Sequence, residues 1–317
     1  MWEFFKRREY WLWSWGGLAL ILGATYFQVR LDVEINEWFG GFYDSLQAAL
    51  AGDITDAGVI YNHMFEFAMI AGVLVAIVVG TACFSSFWCI QWRNSMAEYY
   101  HSKWVGDVEG ASQRVQEDTL KLARILETLG VGFVEAVMKL IAFMIPLHML
   151  SKQVTELPVI GHVDDSMIWI AVLTALGGTV ILAIVGGKLP GIEYDIQKEE
   201  AAYRKYLVQS EDGVSLKATM DHLYNKAKKI HYVSFLHYLY FDMTKWTYLQ
   251  AMVVVPYIAL APTIVSGAVT LGFVTQISRA FGKVAESLQY IVRSWSTIVE
   301  LISIHKRLKE YERAINK

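Results

Sequence analysis

Six stretches of this chain are apolar over roughly the 20 residues that an α-helix needs to cross a bilayer. They run over about 11–29, 64–90, 126–150, 167–189, 232–260 and 268–304. The 167–189 run is the cleanest, and the 232–260 run is aromatic and contains Asp242 and Lys245. The 268–304 run is amphipathic and longer than a bilayer requires. Because 55% of the residues are hydrophobic, the whole of 1–317 reads as one transmembrane domain of all-α class, a polytopic membrane protein with six long helices. The basic start, Met1-Trp-Glu-Phe-Phe-Lys-Arg-Arg-Glu-Tyr10, is followed by no small-residue cleavage site, so it reads as an uncleaved anchor.

Lysine and arginine placement predicts the orientation. Twenty-one of these residues fall at the N-terminus, in the 91–127 and 188–231 connections and in the tail, against only Arg30 and Lys152 in the other loops. Both termini and the two long connections are therefore expected in the cytoplasm, and 30–63, 151–166 and 261–267 outside. The long connections are charged and helix-permissive, which predicts spanning helices that extend into the cytoplasm. Pro190-Gly191 predicts a break or kink at the membrane edge, and Asp212-Gly213 a helix end. A net charge of −3 gives no footprint for nucleic acid. Cys83 and Cys89, six apart in an apolar run, point in different directions on a helix and predict no disulfide.

Polar residues recur where helical periodicity puts them on one face. At about 100° per residue, Glu109 and Glu127 point the same way, and Gln113, Gln116, Glu117 and Glu135 fall within roughly 100° of arc beside them. A continuous helix would carry this carboxylate column for about 39 Å. A second column follows the same rule: Glu193, Gln197, Glu200, Arg204 and Glu211. In both, a merely solvated face is the alternative, with Glu200 and Arg204 as an ordinary i,i+4 pair. In the last run, Gln276, Arg279, Lys283, Glu286, Tyr290, Arg293, Thr297 and Glu300 recur at i,i+3,i+4 spacing. Charges in a spanning helix usually face a bundle interior or a watery cavity, so this stripe predicts a cavity lining, joined by Glu135. A helix packing against a partner in the cytoplasm is the alternative. Glu135 with Lys139, and Asp242 with Lys245, are spaced to neutralise each other.

Catalytic and metal motifs are missing. The chain has no HExxH or paired CxxC for zinc and no GxSxG elbow. It also lacks G-x-x-x-x-G-K-[ST], so it contains no P-loop for ATP. No metal, no cofactor and no enzyme activity are expected.

Several longer strings resemble the SbmA/BacA family of bacterial peptide-antibiotic transporters. They are Glu109-Gly-Ala-Ser-Gln-Arg-Val-Gln-Glu-Asp-Thr119; Glu156-Leu-Pro-Val-Ile-Gly-His162; Lys188-Leu-Pro-Gly-Ile-Glu193, followed by Glu200-Ala-Ala-Tyr-Arg-Lys205; His237-Tyr-Leu-Tyr-Phe241; Thr270-Leu-Gly-Phe-Val-Thr-Gln-Ile277; and Ser294-Trp-Ser-Thr-Ile-Val-Glu-Leu301. The resemblance implies a homodimer in the bacterial inner membrane, with helices arranged like the membrane part of an ABC exporter but without a nucleotide-binding domain. It implies uptake of peptides and peptide-like antibiotics from periplasm to cytoplasm, driven by the proton gradient. It places the proton coupling on Glu117, Glu127, Glu200, Glu211 and Glu300, with Glu109 and Glu193 heading the two columns. Family members often begin with an additional membrane helix, which is not seen before the first run here. The rival expectation is a membrane subunit of an ATP-driven complex whose ATPase is a separate chain, with turns near 103–108 and 213–218 as coupling elements.

Overall fold

Glycines and capping side chains set where the long helices begin and end. The computed structural model describes residues 2–104, 114–154, 156–158, 161, 163–211 and 217–315, with the backbone alone for 197, 211 and 299. Among these residues everything regular is helical, apart from one isolated bridge between Leu157 and Gly161. A short helix α1 (Glu3–Lys6) leads through a 3-10 turn (Arg8–Tyr10) and a π-type turn (Leu12–Gly16) into α2 (Gly17–Ala51). Gly52 ends α2 in the left-handed region, φ 85°, and its N–H returns to the carbonyls of Ala48 and Ala49. Asp56 caps α3 (Ala57–Ser102) by accepting the Gly58 N–H at 2.8 Å. A second π-type turn (Arg114–Asp118) feeds α4 (Thr119–Ser151), then come α5 (Ser166–Gly186), α6 (Leu189–Glu211) and α7 (Lys217–Val265). The last segment is α8 (Leu271–Leu288), α9 (Tyr290–Arg293) and α10 (Trp295–Ile315).

Four helical stretches are long and apolar enough to cross a membrane: Ala57–Ser102, Arg114–Ser151, Ser166–Ser210 and Lys217–Val265. They contain the expected 64–90, 126–150, 167–189 and 232–260 runs. Two expectations need correction. The outer connection expected over 30–63 is mostly helix, because Ile35, Asn36, Trp38 and Gly40 of α2 are buried and α2 packs on α8. The 268–304 segment is not one regular helix but is distorted at Gln289 and Ser294. Bonds Gln289 N–H to Ala285 O and Ile298 N–H to Ser294 O keep its path helical across both points. The break expected at Pro190-Gly191 falls a little earlier. There α5 ends at Gly186 and Pro190 occupies the first turn of α6, where its missing N–H costs no helical bond. The helix end expected at Asp212-Gly213 fits α6 stopping at Glu211, although those two residues lie outside the described set.

By contacts the chain divides into two units, 1–175 with 255–317, and 176–254. In the first, α4 packs on α2, α3, α8 and α10, and α2 packs on α3 and α8. One end of this unit holds an apolar core of Phe4, Trp88, Trp92, Met96, Tyr100, Leu122, Leu308 and Tyr311. Phe4 of α1 stacks on Trp92 at 5.7 Å between centroids. Burying one such ring stabilises by roughly 3 kcal/mol, which docks the N-terminal segment. At the crossing of α2 and α8, Gly272 lies against the Gly40 carbonyl so closely that a Cβ would collide with it and with Asp44. In the second unit, Tyr248 and Phe241 of α7 press their rings onto Gly178 and Gly186 of α5.

Candidate functional site

Apolar α4 carries Glu127 and Glu135 into its middle, and their surroundings differ. Glu127 is half-buried and accepts a bond from the Thr128 hydroxyl at 3.3 Å. Glu135 takes the Lys139 ammonium at 2.7 Å, as its i,i+4 spacing predicted. Lys139 also reaches Asp32 of α2 at 3.3 Å, and Lys283 of α8 reaches the same Asp32 oxygen at 3.2 Å. Three helices thus meet in a chain of alternating charge, Glu135, Lys139, Asp32, Lys283. Asp32 was missed in the sequence because it fell in a stretch read as an outer loop, where an acid is unremarkable.

The polar stripe of α8 to α10 does not share one environment. Gln276 packs against Gly40, where an added Cβ would come within 2.8 Å of its amide oxygen. Arg279 lays its guanidinium 3.8 Å above the Phe39 ring, a cation–π contact, while its Nε is buried without a hydrogen-bond partner. Glu286 is exposed and lies 3.9 Å from Arg293. The Tyr290 hydroxyl donates to the Leu129 carbonyl of α4 at 2.9 Å and occupies the space left by Gly132. Thr297 is half-buried and Glu300 exposed.

Glu117 sits in the π-type turn, exposed, with Lys121 at 3.7 Å. The wide turn alters the phase of the column at this point, and Glu109 and Gln113 lie outside the described residues. The buried neighbour of Glu117 is Asp118, which accepts a bidentate pair from Arg307 of α10, Nε and Nη2 both at 2.9 Å. That pairing raises the Arg307 pKa, with Glu300 contributing at longer range. The π-type turn that bears Glu117 packs on α10, the helix that bears Glu300. Beside the turn opens a cleft lined by Arg93, Asn94, His101, Trp104 and Gln116.

In the second unit α6 and α7 are tied by two side-chain contacts. His231 lies 3.0 Å from Glu200, and Lys226 lies 2.8 Å from Glu199. Glu200 thus finds its partner across the helix pair, a contact that i,i+4 spacing within α6 does not reveal. Glu193 is half-buried, and Glu211 closes α6. Among the described residues no group of three or more His, Cys, Asp or Glu is placed to hold a metal ion.

The sequence profile of the SbmA/BacA-like family matches residues 7–316. The chain is 26% identical to the inner membrane ABC transporter ATP-binding protein YddA of Escherichia coli K12, over 93% of its own length and 55% of the relative's. It is 21% identical to an uncharacterized ABC transporter ATP-binding protein, sll0182, of Synechocystis, over 98% of its own length and 48% of the relative's. A third relative, an uncharacterized ABC transporter ATP-binding protein of Haemophilus influenzae, is 21% identical over 64% of this chain and 37% of its own. The chain spans about half the length of the first two of these relatives, and less of the third.

Proposed function

Because the chain belongs to the SbmA/BacA-like family, we propose that it works as a proton-driven importer of peptides and peptide-like antibiotics from periplasm to cytoplasm. In this reading two copies form a homodimer in the bacterial inner membrane. Each has six spans in an ABC-exporter-like arrangement, with both termini cytoplasmic. Glu117, Glu127, Glu200, Glu211 and Glu300 carry the proton coupling, with Glu109 and Glu193 at the heads of their columns. The proton gradient is the energy source, and no cofactor takes part. The observation that carries the reading is ionisable side chains set along helices that are long and apolar enough to span, Glu127 and Glu135 above all. Such residues are costly in a bilayer and are expected where ions or substrates pass. Protonation of several together changes their mutual repulsion, which biases one access state against the other. In their ionised form they attract cationic peptides.

A second reading rests on the relatives' names. Two of them are described only as ABC transporter ATP-binding proteins, and YddA as an inner membrane one. This favours a membrane part that works with an ATPase. Purified protein in liposomes separates the two. Uptake of a labelled cationic peptide under a pH gradient without ATP is expected, and Glu127→Gln and Glu200→Gln should abolish it while insertion and dimerisation persist. Strict dependence on an added ATPase would establish the second reading instead.

A further inference from the structure

We propose that Glu135, Lys139, Asp32 and Lys283 form a proton-gated binding site for a carboxylate of the cargo peptide; this rests on the importer reading above. The assignment comes from who holds whom. Asp32 is touched by two ammonium groups, Lys139 and Lys283, whereas Glu135 touches Lys139 alone. A proton on Asp32 would leave Lys283 without its acid. A proton on Glu135 leaves both lysines still in contact with Asp32, so the cluster tolerates it there. With Arg279 beside them, three cations then face one carboxylate instead of two, and the added excess of positive charge in such a place is costly until an anion joins it. Proton and anion therefore bind with positive coupling, each raising the other's affinity by the same factor.

The charged groups facing Glu135 and its partners are Lys139 on its own helix, Asp32 on α2, and Lys283 and Arg279 on α8. Arg279 is held on the Phe39 ring and adds to the positive field. The four clustered side chains keep 20–34% of their surface exposed, so a carboxylate can reach them. One turn beyond Asp32 on α2, Asn36 is 1% exposed with neither amide atom partnered, which extends the polar seam into the packed region.

The test compares one cationic peptide lacking Asp and Glu in two forms, with a free C-terminal carboxylate and with a C-terminal amide. Binding to the solubilised full chain is measured at acidic and at neutral pH, and uptake into liposomes beside it. The carboxylate form is expected to bind tighter than the amide at acidic pH, and this preference to exceed that at neutral pH by at least about fivefold, the low end of ordinary coupling factors. Lys139→Gln should erase that preference, and Glu135→Gln should make it independent of pH. Thermal unfolding of the Lys139→Gln and Glu135→Gln proteins in detergent, expected to match that of the unaltered chain, guards against loss through misfolding. Equal binding of acid and amide forms by the unaltered chain overturns the site even where uptake is intact. A carboxylate preference without any pH-driven uptake would keep the site and remove the importer reading.

Discussion

At the scale of single residues, the sharpest contrasts lie between buried and exposed charges. Asp118 is 3% exposed and its two oxygens are both taken by Arg307. Removing the guanidinium leaves a carboxylate in the apolar end of the first unit. Arg307→Leu should therefore cost about 3 kcal/mol, read as a lower unfolding temperature in detergent. Arg307→Lys should recover only part of this, because a single ammonium cannot form the fork. Glu98 shows the opposite, solvent-facing case. Bonds from the Tyr10 hydroxyl and the Arg7 guanidinium hold its pKa below the usual carboxylate value. Burial first, then Glu98, pushes Tyr10 up to about 12. The Glu98 contribution is present above the ordinary carboxylate range and fades as pH falls through the depressed value. The Tyr10 contribution is whole below the ordinary phenol value and fades as pH rises through about 12. Limited proteolysis of the N-terminal segment should accelerate below roughly pH 4, and Glu98→Gln should flatten that response.

At the scale of elements, contact between helices is set by glycine. Gly272 brings α8 against α2 and lets its N–H reach Asp44 at 2.8 Å, beside the Leu271 N–H on Gln47 at 2.7 Å. Thr270 caps the same helix end through the Phe273 N–H. A methyl on Gly272 must push the helices apart, so Gly272→Ala should destabilise by roughly 1–3 kcal/mol. Gly23 meets nothing within 4 Å, and Gly23→Ala should be neutral or slightly stabilising in the same thermal assay. Tyr290→Phe removes one bond from α9 to the Leu129 carbonyl and should cost about 1 kcal/mol. The predicted 3.6-residue stripe over 276–300 is legible in the sequence. The distortions at Gln289 and Ser294 are not, because neither residue is a proline or glycine and both keep helical hydrogen bonds.

At the scale of the whole molecule, the lysine and arginine asymmetry makes a topological prediction. With Cys83 and Cys89 replaced, a cysteine at Lys152 should label with an impermeant reagent from outside, and cysteines at Lys6 and Lys306 should label only after permeabilisation. Labelling in the reverse pattern would invert the importer's direction. The long helices themselves were readable: the apolar runs at 64–90, 126–150, 167–189 and 232–260 all lie within helices able to span. The short turn at Gly52 to Asp56 was hidden, since α2 continues through a stretch whose charges look like loop chemistry.

The sequence by itself determined the helical class, the apolar runs and the family, because hydropathy and periodicity are local properties of consecutive residues and the family strings are read directly. It also supplied every carboxylate that the proposed coupling uses. Only the tertiary structure decided which charges meet. Asp32 and Lys283 are 251 positions apart and Asp118 and Arg307 are 189 apart. A pairing at that distance depends on which faces α2, α4, α8 and α10 bury against one another, and the spacing along a single helix carries no trace of it.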